Sequence, residues 1–141
     1  MKILIIEDNE QNLYLEKFIL EKYGLEVIEA RDGMHGIKLA KEKKPNLILL
    51  DIQLPMMDGY EVANVLRSDP GLINTSIVAV TSYAMAGDRE RVLAAGCNGY
   101  IEKPINPDTF LSEVLEYLPS DADNLTSEDL KKNDDYLSDC R

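Results

Sequence analysis

Cysteine, histidine and positive charge are all scarce in this 141-residue chain, and it has no long hydrophobic run. The two cysteines, Cys97 and Cys140, are too few and too far apart for a disulfide framework or a metal knuckle. They point instead to a reducing, cytoplasmic setting. The single histidine, His35, falls inside a helical stretch and reads as a surface residue, so no His or Cys cluster competes for a soft metal. Lys and Arg number 15 against 26 Asp and Glu, a formal net charge of −11. That balance argues against direct nucleic-acid binding, which needs clustered bases. No apolar stretch approaches the length that spans a bilayer, and Met1-Lys2 leads into a short strand-like run instead of a secretion signal. The remaining composition, 45% hydrophobic and 29% charged, is that of a soluble globular domain long enough to build one core without staples.

Short apolar runs alternate with helical stretches along that domain. Lys2–Ile6 is a strand ended by Glu7-Asp8-Asn9, where Asp8 or Asn9 can cap a helix through QNLYLEKFILEKY. Leu15, Phe18 and Ile19 share a face of that helix, and Gly24 stops it. Leu25–Ala30 alternates as a less buried strand, and a helix over Gly33–Lys43 follows. Leu47–Leu50 is apolar without interruption, as a strand buried on both faces must be, and it runs straight into Asp51. A helix near Tyr60–Arg67, a strand Ile77–Val80 ending at Thr81 and a helix closing at Gly96 come next. A short strand at Gly99-Tyr100-Ile101 and a last helix over Pro107–Leu118 complete the series. Five such units in strict alternation predict an α/β fold, a parallel sheet with helices on both faces.

Parallel strands present all their carboxyl ends on one edge, where open α/β sheets bind ligands. Glu7 and Asp8, Asp51, Thr81 and Lys103 all stand at such ends. Taken alone, Asp51 is equally well a turn cap, Thr81 a strand-end hydroxyl and Lys103 a solvated side chain. Together, three acids, a hydroxyl and an ammonium compose a phosphoryl-transfer site. Crowded carboxylates call for a divalent cation, and Mg²⁺ suits an all-oxygen donor set completed by water or phosphate. A free carboxylate oxygen can then attack phosphorus in line.

On these residues the chain resembles the response-regulator receiver domains of two-component signalling, over about residues 1–119. The motifs are the pair Glu7-Asp8, the pattern Asp51-x-x-x-Pro55-x-x-Asp58-Gly59, Thr81 and Lys103-Pro104, all in order. The resemblance implies a flavodoxin-like (βα)5 sandwich with strand order 2-1-3-4-5. It implies a 4-aspartylphosphate at Asp51, accepted from a sensor histidine kinase or phosphotransfer protein. Mg²⁺ would be held by Asp8, Asp51 and the backbone carbonyl of Gln53, with Glu7 bound directly or through water. Lys103 would pair with the phosphoryl group, Thr81 would hydrogen-bond it, and the Lys103–Pro104 bond would be cis. Thr81 and Tyr100 would form the switch that alters the surface of the fourth helix, fifth strand and fifth helix toward a downstream protein target. Such a domain is a switch and not an enzyme in the ordinary sense, a monomer or a phosphorylation-dependent dimer, away from membranes.

Residues 120–141 hold seven acids against three bases and read as an acidic tail or linker, with a short helix conceivable from Ser127 through Leu130 and Leu137. The start at Met1 favours a stand-alone regulator of the DivK kind over a receiver piece of a hybrid kinase. A phosphorylation-independent interaction module is the remaining alternative, and the full set of site residues weighs against it. A haloacid-dehalogenase type hydrolase needs a second acid two residues after its nucleophile, where Gln53 stands. A flavodoxin needs a phosphate loop where Glu7-Asp8-Asn9 would repel the ligand. The resemblance also places Gln53 and Tyr83 beside the line along which water attacks the phosphoryl group. The bulk of Tyr83 predicts a phosphoryl half-life of minutes or longer, shortened in Tyr83→Ala. A half-life of seconds, unchanged in that variant, would contradict it.

Overall fold

The computed structural model describes residues 1–82 and 86–118. The proposed tail with its short helix, the boundary at residue 119 and Tyr83 lie outside the described residues. The elements are β1 (Lys2–Ile6), α1 (Glu10–Tyr23), β2 (Glu26–Ala30), α2 (Gly33–Lys43), β3 (Leu47–Asp51) and α3 (Gly59–Arg67). They continue with β4 (Ser76–Thr81), α4 (Ala86–Ala94), β5 (Gly99–Glu102) and α5 (Phe110–Glu116), with a 3₁₀ turn at Pro70–Leu72 before β4. All strand pairs are parallel, in the order β2-β1-β3-β4-β5. The order agrees with the expectation from sequence.

The period-two geometry of the strands sorts their side chains into two cores. Leu4, Ile6, Ile48, Leu50, Ile77 and Ala79 pack with Ala40 of α2, Val62, Ala63 and Leu66 of α3 and Val92 of α4. Ile3, Ile5, Leu47, Leu49, Val78 and Val80 pack with Leu13, Ile19 and Leu20 of α1 and Phe110, Leu111 and Val114 of α5. Every residue of β3 is buried. Each apolar side chain so buried contributes about 2 kcal/mol by area. The same central placement fixes Asp51 to a fully buried strand in the middle of the sheet.

Side-chain caps set where helices begin. Asn9, not Asp8, caps α1, accepting from the Asn12 amide at 3.0 Å. Asp32 caps α2 through the His35 amide (2.8 Å) and Asp58 caps α3 through the Glu61 amide (2.9 Å). Asp8 is thereby left free of capping duty and exposed at the sheet edge. Arg67 at the end of α3 donates to the carbonyls of Gly96 and Leu72 and to Asn98 Oδ1, tying α3 to the approach to β5.

Two helical readings need correction. The buried face of α1 is Leu13, Glu16, Ile19 and Leu20; Phe18 is 53% exposed and stacks on exposed Tyr14 with ring centroids 6.2 Å apart. The last helix starts at Phe110 and not at Pro107. The Asn106 side chain accepts from the Asp108 amide and its carbonyl accepts from Thr109 and Phe110, so a turn occupies the first positions.

After β3 the chain turns sharply back. The Gly59 amide donates to the Ile52 carbonyl at 3.0 Å. A Cβ at position 59 would come within 2.5 Å of Ile52 Cα and 2.7 Å of the Asp51 carbonyl oxygen. Both are backbone atoms, of Asp51 itself and of the residue directly after it, and neither can move without displacing the acid. Gly59→Ala is expected to destabilise the fold by about 2 kcal/mol, read by urea unfolding. An unchanged midpoint would contradict the close approach.

Candidate functional site

Four of the five strands, β1, β3, β4 and β5, each deliver part of the site to the same edge. Glu7 directly follows β1, and its amide donates to the Ala30 carbonyl at 2.9 Å, which keeps it in the sheet and only 2% exposed. Asp51 ends β3 at 3% exposure, and its Oδ1 accepts from the Gln53 amide at 3.0 Å. Thr81 ends β4, buried, one residue past the partner of Asp51 in the β3–β4 register. Lys103 directly follows β5. Its amide donates to the Thr81 carbonyl at 2.8 Å, and the Lys103–Pro104 bond is cis.

The Lys103 ammonium lies 3.1 Å from Glu7 Oε1 and 3.2 Å from Asp51 Oδ1. Two nearly inaccessible carboxyls thus share one cation that is itself only 12% exposed. Burial pushes the Glu7 carboxyl up to about 8, reinforced by the neighbouring Asp51 and opposed by Lys103. Burial alone would raise Asp51 as well. The Glu7 carboxyl beside it, the hydrogen bond from the Gln53 amide and the charge of Lys103 outweigh that, and it is held below the ordinary carboxylate value. The Lys103 ammonium is raised: burial works against its charge, and Asp51 and Glu7 more than compensate. The two shifts run in opposite directions, burial favouring the neutral form of Glu7 and the surrounding donors favouring the charged form of Asp51.

The donor set also fits a hard divalent cation. Carboxylate oxygens of Glu7, Asp8 and Asp51 lie within 4.8 Å of one another. Both Glu7 oxygens are buried without a hydrogen bond; Oε1 has the Lys103 ammonium beside it, and Oε2 is an acceptor of the kind a cation satisfies. An all-oxygen donor set of this kind suits a hard divalent cation such as Mg²⁺.

The other residues singled out from sequence take different positions. Gln53 is exposed on the loop after β3. Tyr100, half-buried on β5, has the Arg89 guanidinium of α4 over its ring at 5.2 Å from the centroid. His35 is exposed and paired with Asp32. Two residues escaped the sequence reading. Arg89 was one charge among several on α4, with nothing to mark its partner. Glu16 is 1% exposed in the middle of the α1 apolar face. Its spacing of three from Leu13 and four from Leu20 was the available signal, masked by its polar type.

If Lys103 is the counter-charge of two buried acids, Lys103→Met leaves them facing each other uncompensated. In chelator the variant is expected to lose about 3 kcal/mol in urea unfolding, with part of the loss recovered on adding Mg²⁺. A variant as stable as the parent in chelator would contradict the ion-pair assignment.

Residues 3–115 match the family described as response regulator receiver domain. The polar-differentiation response regulator DivK of Brucella anthropi is 43% identical over 116 residues, covering 82% of this chain and 94% of that protein. Its counterpart in Brucella ovis matches equally. Among solved structures, chemotaxis response regulator CheY4 of Vibrio cholerae superposes with a TM-score of 0.80 at 26% identity, over 83% of this chain and 98% of that one. The receiver domain of a sensor histidine kinase of Pseudomonas aeruginosa, with a magnesium ion coordinated in its active-site cleft, gives 0.75 at 31% identity, over 82% and 95%.

Proposed function

The chain belongs to the response regulator receiver domain family, and on that footing we propose that Asp51 is its phosphoacceptor, charged by a sensor histidine kinase or phosphotransfer protein. One Asp51 carboxylate oxygen attacks the phosphorus of a phosphohistidine in line. The new O–P bond forms as the N–P bond breaks, and the bonding pair stays on the imidazole nitrogen, which takes up a proton from solvent water. Asp8, Asp51 and the Gln53 backbone carbonyl would hold Mg²⁺, with Glu7 bound directly or through water. The ion would supply positive charge against the phosphoryl oxygens as they approach two acids.

Lys103 starts on the two carboxylates and follows the phosphoryl group as it joins Asp51. Thr81, one register step from the acceptor, donates its hydroxyl to a phosphoryl oxygen. Movement of Thr81 opens space toward β5, and Tyr100 turns inward at the expense of its contact with Arg89. The surface of α4, β5 and α5 then shifts its preference among protein targets. Phosphorylation drives that shift only as far as it interacts differently with the two states.

The observation that supports this reading most is the single ammonium between Glu7 and Asp51, with Asp8 completing the acidic cluster. Incubation with acetyl phosphate and Mg²⁺ is expected to add one phosphoryl group to the intact mass of the protein. The gain disappears in Asp51→Asn and without Mg²⁺. A wild-type mass that stays constant while Mg²⁺ binding is demonstrated separately would overturn the assignment.

A further inference from the structure

The core anchors α4 thinly. Among the described residues of that helix only Val92 has a buried side chain, whereas the neighbouring α3 buries Val62, Ala63 and Leu66. Two exposed arginines flank the anchor. At about 100° of helix per residue, Arg89 stands roughly 60° to one side of Val92 and Arg91 roughly 100° to the other. Each covers a tyrosine of a neighbouring element. The Arg89 guanidinium lies 5.2 Å from the Tyr100 ring centroid on β5, and the Arg91 guanidinium lies 4.1 Å from that of Tyr60 on α3. Both are within the reach of cation–π attraction. The switch described above uses only the first. Tyr60 is half-buried and packed on the cluster that holds Val62 and Val92, so its ring is fixed and the guanidinium comes to it. Beside this contact a cavity of about 470 Å³ stays open between α3 and α4, lined also by Asp58, Glu61, Asn64, Ala94 and Ala95.

We propose that Tyr60 and Arg91 form a second latch on α4, which holds the helix in its resting position and is given up together with the Arg89–Tyr100 contact when Asp51 is phosphorylated. The switching half of this inference rests on the phosphoacceptor reading. Both arginines ride on one short helix with a single apolar anchor between them. A roll of α4 about its axis carries both guanidinium groups in the same sense, one inward and the other outward. A translation away from the sheet draws both off their rings. The two contacts therefore specify one helix position. Once Tyr100 turns inward and the first contact is lost, the second holds that position alone, and the open space beside α3 gives the helix room to leave it. By linkage, whatever stabilises the resting position weakens, by the same factor, the binding of a group that favours the other.

The test uses the full chain and two readouts. Amide hydrogen exchange across α4 without Mg²⁺ reads the latch itself. The affinity for trifluoroberyllate with Mg²⁺, by NMR titration, reads the coupling, with that anion as a stand-in for a phosphoryl group on Asp51. Tyr60→Leu keeps apolar bulk on α3 and removes the ring face. It is expected to speed α4 exchange and to tighten trifluoroberyllate binding, each about threefold, the size of one partly exposed cation–π contact. Arg91→Gln should do the same, although loss of a positive charge would by itself weaken the binding of an anion. The double variant should go no further than either single one, because both remove one interaction. Tyr60→Phe keeps the ring and should match wild type in both readouts. A contact that serves stability alone would lower the melting temperature and leave the anion affinity unchanged, and that result would overturn the inference. So would wild-type α4 exchange in both single variants, or additive effects in the double. If wild type takes up neither trifluoroberyllate nor a phosphoryl group from acetyl phosphate, the phosphoacceptor reading itself fails and the switching role falls with it.

Discussion

Two carboxyls buried side by side at a sheet edge, with one ammonium between them, constrain everything else in this molecule. Glu7 and Asp51 can meet because β1 and β3 are neighbours in the order β2-β1-β3-β4-β5. Lys103 comes from β5, two strands from β3. At the usual inter-strand spacing that separation is roughly 10 Å, which the long lysine side chain bridges with help from the acid reaching out to meet it. The residue between them on β4 must then be small enough to pass beneath and polar enough to remain useful. Thr81 meets both demands, and the Lys103 amide is tied to its carbonyl at 2.8 Å. Strand order, side-chain length and the choice of threonine are one geometric solution.

Desolvating carboxylates carries a penalty of several kcal/mol each, and partial pairing with one cation offsets only part of it. The two apolar layers make the difference tolerable. β1 and β3 bury leucine and isoleucine on both faces, and Gly59 lets the following loop pack directly on the Asp51 backbone. The site is thus held rigid by the core while it is electrostatically incomplete: an orphaned Glu7 oxygen and an excess of acid over base invite a cation. A scaffold that is stable despite its site, instead of because of it, responds strongly when charge is added there. That property is what a phosphorylation-type signalling switch requires.

Much of this was legible in the chain. The uninterrupted run Leu47–Leu50 read as a strand buried on both faces, which put Asp51 at its carboxyl end, and parallel topology brought Glu7, Asp8 and Lys103 to the same edge. The α1 face was misjudged because hydrophobicity assigned Phe18 inward, whereas the helix phase set by the Asn9 cap buries Leu13, Glu16, Ile19 and Leu20. A charged residue on an apolar face carries no pattern of its own. The start of α5 was missed for a related reason: Pro107 has the look of a first helical residue, but the carbonyl and side chain of Asn106 hold the next residues in a turn. Contacts such as Arg89 on Tyr100 depend on tertiary placement and leave no periodic trace.

The arrangement makes a strong statement about protons. Two adjacent acids, similarly buried and sharing one ammonium, shift in opposite directions: burial and its neighbour raise Glu7, while Asp51, which alone accepts a backbone amide, is lowered. Carbon-13 NMR of the side-chain carboxyls in the metal-free protein, assigned with Glu7→Gln and Asp51→Asn, reads this directly. Glu7 is expected to titrate at about 8 and Asp51 below the ordinary 3.8. Two carboxyls titrating together near the ordinary range would show that the pair is neither buried nor coupled through Lys103, and the account of the site would be wrong.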